Sequence, residues 1–212
     1  MEAGFWHERW ENQEIGFHRP EAHEMLRRHV KKVAQRGARV FVPLCGKSKD
    51  MLWLLNNGYQ VFGVELSEVA VTQFFEENGL RPAIVEEGAF KRFSVEGLAI
   101  WVGDFFDLTA EQLASVDAWY DRAAMIALPP EMRTRYVKQL SGKLPEHAQG
   151  LLVTIEYPVG YRKGPPFSVS EGEVESGFGQ RFSIEQIEAD EGVVNGEQPD
   201  DNPVTEHIYQ LS

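Results

Sequence analysis

Short apolar runs alternate along this chain with stretches whose apolar positions recur every three or four residues, and the two patterns predict different elements. The runs ARVFVPL (38–44), YQVFGVEL (59–66), LAIWVGDF (98–105), VDAWYDRA (116–123) and GLLVTIEY (150–157) are rich in Val, Ile, Leu and aromatics. Their length and composition predict strands buried on both faces of a parallel sheet. Between the first two lies SKDMLWLLNNG, where Met51, Leu52, Leu54 and Leu55 have helical spacing and Gly58 suits the position just past a helix end. The segment SEVAVTQFFEENGL then offers Ser67 as an N-cap and Gly79 as a stop. Strand, helix, strand, helix predicts an open α/β fold with a mostly parallel sheet.

The pattern changes after Gly79. AIVEEGAFKRFSVEGLAIWV alternates apolar and polar residues around Glu87-Gly88, which predicts a small hairpin inserted before the third core strand. Residues 129–144 open on Pro-Pro and carry Met132, Tyr136, Val137, Leu140 and Leu144 at helical spacing, predicting a fourth covering helix. PVGYRKGPPFSVSEGEVESGF follows the fifth strand as a long Pro- and Gly-rich loop, with Ser170 able to cap a short helix. Such a loop at the carboxyl end of a strand is a common position for an active-site lid. RFSIEQIEAD and VTEHIYQLS are two further strand candidates, separated by the acidic loop GEQPDDNP (196–203). No internal repeat interrupts the pattern, and 212 residues of ordinary globular composition predict one domain.

Charge narrows the partners. With 33 acidic against 21 basic residues the formal net charge is -12, which argues against nucleic acid or an anionic membrane, since both bind by neutralising phosphates with Lys and Arg. No apolar run reaches the roughly 18 residues that span a bilayer. The opening MEAGFWHERWEN is charged where a signal peptide would be apolar, so a cytoplasmic protein is expected. One cysteine, Cys45, allows no internal disulfide and no cysteine metal cluster, and the six histidines show no metal-ligand spacing. A lone Cys at a strand end reads as a small buried residue rather than a nucleophile.

In open α/β sheets ligands bind at the carboxyl ends of the strands, and VPLCGKSKD (42–50) follows the first strand. Its Gly-Lys-Ser resembles the close of a phosphate-binding loop, but Phe41 stands where that motif needs its first glycine, and G-x-G-x-x-G is absent. What remains is Gly46 at a strand-to-helix turn and Glu65 at the end of the second strand, nineteen positions later. A carboxylate there can accept hydrogen bonds from both hydroxyls of a ribose, which fits a nucleoside without a pyrophosphate such as S-adenosylmethionine. A solvated strand-end acid beside a plain turn fits the same spacing. GDFFDL (103–108) places Asp104 and Phe105 after the third strand, and YDRAAMIALPP (120–130) places Asp121 and Arg122 after the fourth, where an Asp-Arg pair can equally be a surface ion pair. Lys47, Lys49 and Asp50 read as a solvated helix start. Trp6 and Trp10 lie one helical turn apart with Phe17 after a polar turn, either a cover for a cationic ligand or core filling under the first helix.

Taken together, FWHERWENQEIGFHRPEAHEML, VFVPLCGKSKDMLWL, VFGVELSEVAV, GDFFDL, YDRAAMIALPP and GPPFSVS resemble the bacterial branch of the thiopurine S-methyltransferase family, in order from Phe5 to about Ser170. The resemblance implies a Rossmann-like class I S-adenosylmethionine-dependent methyltransferase: seven mostly parallel strands, the last antiparallel, with helices on both faces. It implies a single domain over residues 1–212, in which 1–36 form an N-terminal helical lid segment. It further implies that Trp10, Leu44, Glu65 and Arg122 contact the cofactor, that Asp104 and Phe105 flank adenine, and that Phe17 borders the acceptor pocket. Arg122 is the candidate catalytic residue, steadying negative charge on the acceptor. The activity implied is in-line methylation of the thiol of thiopurines or similar aromatic and heterocyclic thiols. From the sequence itself no metal and a monomer are expected, since Cys and His show no ligand spacing and nothing in the chain suggests an obligate dimer. A soft thiolate needs alignment and a dry site more than a strong base. Alternatives are methylation of selenium or tellurium compounds, and a catalytically silent S-adenosylmethionine-binding module.

Overall fold

The computed structural model describes residues 3–191 and 203–212. All but Pro203 of the expected acidic loop lies outside the described residues. Helices α1 (Ala3–Glu11) and α2 (Glu24–Val33) precede β1 (Arg39–Val42), α3 (Lys49–Asn56), β2 (Gln60–Glu65) and α4 (Glu68–Glu77). A hairpin of β3 (Ala83–Glu87) and β4 (Phe90–Val95) leads to β5 (Leu98–Val102), α5 (Ala110–Leu113), β6 (Ala118–Arg122) and α6 (Pro130–Lys143). The chain closes with β7 (Gln149–Glu156), α7 (Glu171–Phe178), β8 (Ile184–Glu191) and β9 (Thr205–Leu211). Each apolar run is a strand, trimmed where Pro43 or Gly103 ends the ladder. Ser48, Ser67 and Ser170 cap α3, α4 and α7 through their side chains.

The strands form one sheet in the order β3-β4-β5-β2-β1-β6-β7-β9-β8. β5, β2, β1, β6 and β7 are mutually parallel, with Phe41 opposite Phe62 and Asp121 opposite Leu152. β9 runs antiparallel to β7, as expected of the last strand. The sheet has nine strands rather than the expected seven, because β4 pairs antiparallel with β5 and carries β3 outward at that edge. Gly88, at φ 64°, opens the two-residue turn between Glu87 and Phe90.

Side-chain alternation splits the core in two. Phe41, Phe62, Trp101 and Trp119 face α5, α6 and α7, while Val40, Val42, Val61 and Leu151 face α2, α3 and α4. α2 contributes Met25, Leu26, Val30 and Val33, a stripe at helical period, and is therefore a covering helix of the sheet. Residues 1–36 thus divide: α2 belongs to the core layer, and only the part before it stands over the strand ends. No described helix is long and apolar enough to cross a membrane.

Candidate active site

Strand order reverses between β1, which leads outward to β2 and β5, and β6, which leads to β7. At the carboxyl ends of these strands lies a cavity of about 580 Å³. Trp10, Phe17, Leu44, Glu65, Asp104, Phe105 and Arg122, the seven residues singled out in the sequence, all line it. Chain segments more than a hundred residues apart therefore meet at one wall.

The loop after β1 departs from strand geometry at once: Leu44 has φ 46° and Gly46 φ 51°. A left-handed leucine is strained and persists only where the surroundings hold it. Here the Cys45 amide donates to Val64 O at 3.0 Å and the Gly46 amide to Glu65 Oε2 at 2.8 Å. Glu65 Oε1 accepts from the Ser67 amide at 2.8 Å, so the buried carboxylate clamps both strand ends. Burial pushes its pKa up, and these amides oppose the shift. A carboxylate offers about four lone pairs and three backbone amides, those of Gly46, Leu66 and Ser67, draw on them, so one remains for a ligand hydroxyl. The solvated-acid reading of Glu65 does not hold. Trp10, 2% exposed, packs on Gly46 so closely that a Cβ there would meet its ring at 2.9 Å.

The Lys47–Asp50 segment corrects the expectation of a solvated helix start. Lys47 is 6% exposed, and its ammonium donates to Gln73 Oε1 at 2.9 Å and Glu77 Oε1 at 2.6 Å. Two of its three donors are thus engaged by α4, with the Glu77 carboxylate offsetting its charge. Asp50, 2% exposed, accepts from the His23 amide (2.7 Å), Tyr120 OH (3.2 Å) and Arg122 Nε (3.0 Å). Asp50, and not the neighbouring Asp121, is thus the partner of Arg122. Asp121 points to the opposite sheet face, as adjacent strand residues must. It accepts from Tyr136 OH at 2.7 Å and from the amides of Ala124 and Met125, while Ala123 turns at φ 66°. Complete burial pushes the pKa of Asp121 up to about 6, against the pull of these donors.

After β5, Asp104 accepts from the Phe106 amide at 2.9 Å and opens a 3-10 turn over Phe105–Asp107. Phe105 is 3% exposed, its ring 4.8 Å from Tyr136 and 6.5 Å from Phe41, so it is chiefly core. Phe106 is the more open aromatic, with the Arg135 guanidinium 4.5 Å from its centroid. On the N-terminal side Phe17 meets Trp6 and Trp10 edge-on at 5.9 and 5.5 Å. The loop after β7 brings Pro165 and Pro166 to the cavity, held by Tyr157 OH on Pro166 O at 2.9 Å and the Phe167 amide on Ile126 O at 2.6 Å. Cys45 is buried, and burial beside Glu65 pushes its thiol pKa well up, so it stays protonated and inert. Phe106, Arg135 and His18 also line this cavity and had no functional role in the sequence; His18 and Phe106 directly follow Phe17 and Phe105, and that adjacency was the usable signal.

A buried carboxylate at the end of β2, a loop whose only lysine is engaged by α4, and aromatic walls fit a ribose-bearing cation without phosphate. Fold and site together define a class I S-adenosylmethionine-dependent methyltransferase. A solved Burkholderia thailandensis 1,6-didemethyltoxoflavin-N1-methyltransferase, with bound 1,6-didemethyltoxoflavin and S-adenosylhomocysteine, shares the fold at a TM-score of 0.66 and 14% identity over 99% of this chain and 85% of its own. The family model described as Thiopurine S-methyltransferase matches residues 1–212. The thiopurine S-methyltransferase of Pseudomonas aeruginosa (strain UCBPP-PA14) is 51% identical over 189 residues, covering 89% of this chain and 87% of that protein. That of Pseudomonas entomophila (strain L48) is 49% identical with the same coverage. The chain belongs to the thiopurine S-methyltransferase family and is an S-adenosylmethionine-dependent enzyme acting on small-molecule thiols.

Proposed function

We propose that this enzyme methylates the sulfur of thiopurines and of similar aromatic and heterocyclic thiols, with Trp10, Leu44, Glu65, Asp104, Phe105 and Arg122 on the donor and Phe17 on the acceptor. The observation that supports this most is the convergence of all seven on one cavity at the strand-order reversal. When bound, the donor supplies an electrophilic methyl group on a sulfonium. Glu65, already fixed by the Gly46 and Ser67 amides, offers its remaining lone pair to the ribose. Phe105 contributes a small part of its surface to the adenine side, and Phe106 a larger one. Arg122, held through Nε, keeps its terminal nitrogens for a carboxylate or for negative charge on the acceptor. Trp6, Trp10 and Phe17 form an aromatic cover that excludes water and favours a cation. In this reading α1 and the turn after it are the lid.

The same reading has the enzyme acting in the cytoplasm as a monomer, without nucleic acid or membrane, supported by the net charge of -12 and the single cysteine. Calorimetry with S-adenosylhomocysteine, followed by transfer of a labelled methyl group to 6-mercaptopurine, tests it. Binding with no transfer to any thiol would identify a silent binder instead. For Arg122→Ala a lower kcat at saturating donor is expected; weaker donor binding with unchanged kcat would confine Arg122 to the cofactor.

A further inference from the structure

His18 stands on the cavity wall without a part in the scheme above. Its backbone amide donates to Ile15 O at 2.8 Å, closing a turn that sets Phe17, His18 and Arg19 side by side along the cavity. The imidazole is half-buried and has no hydrogen-bond or ion partner among the described residues. We propose that His18 accepts the proton of the acceptor thiol and passes it to solvent. The assignment rests on the thiol-methylating reading of the site.

Four charged groups from four parts of the fold act on this ring: Lys47 from the loop after β1, Lys49 from α3, Arg122 from β6 and Glu77 from α4. Glu77 is itself bound to Lys47 at 2.6 Å, so cations dominate. Partial burial first, then Lys47, hold the ring below the ordinary histidine value of 6.5. The imidazole is therefore neutral at pH 7, with one nitrogen free to accept a proton. The same cations favour a thiolate over a thiol at this wall. Of the other described acids lining the cavity, Asp104 accepts from the Phe106 amide, Glu14 lies 3.5 Å from Arg9 and Glu206 lies 3.2 Å from His23. Asp121 and Tyr136 bond each other beneath the surface, Glu65 is held by amides, and Cys45 stays protonated.

The step balances without a further reagent. The acceptor S–H bond breaks and its proton joins the free nitrogen of His18. The sulfur pair forms the new S–CH3 bond, while the pair of the broken methyl–sulfur bond stays on the departing thioether. The imidazolium, disfavoured among the cations, gives its proton to water on its exposed side. The outcome matters most for thiols that are protonated at neutral pH, because an acceptor already ionised brings no proton to remove.

The test compares wild type with His18→Asn and His18→Gln on two acceptors, 4-nitrothiophenol, which is ionised at neutral pH, and benzyl mercaptan, which is not. The loss of kcat/KM with benzyl mercaptan is expected to exceed the loss with 4-nitrothiophenol by about 10- to 100-fold. S-adenosylhomocysteine affinity by calorimetry is expected to stay within about twofold, as for a residue that acts on the acceptor alone. Equal losses on both thiols, or a parallel fall in S-adenosylhomocysteine affinity, would overturn the proposal in favour of a binding or structural role. NMR titration of the wild-type imidazole is expected below 6.5, and a value above it would overturn the proposal with no variant needed. Failure of the wild type to methylate either thiol would overturn the thiol-methylating reading itself, and this step with it.

Discussion

Glu65 shows how one side chain can hold a site together before any ligand arrives. Its two oxygens tie the Gly46 turn to the start of α4, and the residue lines the cavity. Glu65→Gln keeps the size but can serve only one amide through its single oxygen. A loss of about 1.5–3 kcal/mol, the usual value of a hydrogen bond to a charged group, is expected in S-adenosylhomocysteine affinity by calorimetry. Asp121 makes a different prediction. Its pKa is raised in the fold from 3.8 to about 6, so the folded state favours the protonated form. The stability it contributes is present below about pH 4 and lost as pH rises through 6, by on the order of 3 kcal/mol. Urea denaturation from pH 4 to 7 is expected to show a smaller fall for Asp121→Asn than for the wild type. Reading Asp121 and Arg122 as one ion pair missed this, because neighbours on a strand point to opposite faces and find separate partners.

At the scale of elements, α1 is a short helix whose buried anchor is Trp10. Trp10 fills the space over Gly46, and Phe17 packs edge-on against it. Trp10→Ala is expected to speed amide hydrogen exchange in α1 and the following turn, and to weaken S-adenosylhomocysteine binding, while β1 and β2 keep their protection. Unchanged exchange in α1 would mean that other contacts seat it. The strands, the hairpin and the helices over 49–56, 68–77 and 130–143 were legible in the pattern, since buried parallel strands need near-continuous apolar runs and covering helices need an apolar stripe. α2 follows the same rule through Met25, Leu26, Val30 and Val33, yet its many charges left it merged with the lid segment.

Across the whole molecule, the hairpin of β3 and β4 extends the sheet at the edge away from β6 and β7, and β3 is exposed along its length. Ile84 and Val85 are open apolar residues on that edge, the kind of strand that invites pairing with another chain. Val85→Lys is expected to change unfolding stability by no more than about 0.5 kcal/mol, to leave S-adenosylhomocysteine affinity unchanged, and to lower any concentration-dependent association in sedimentation. By itself the sequence determined the order of elements and which residues stand at the strand ends, because strand pattern and ligand position are both local to each run. It thereby drew Leu44, Glu65, Asp104 and Arg122 toward one edge. Only the tertiary structure decided who partners whom: Asp50 with Arg122, Lys47 with Glu77, Trp10 with Gly46, Asp121 with Tyr136. Those contacts join segments far apart in the chain, and burial sets their chemistry, so a charge that reads as solvated in a string of letters becomes a fixed support once its neighbours close over it.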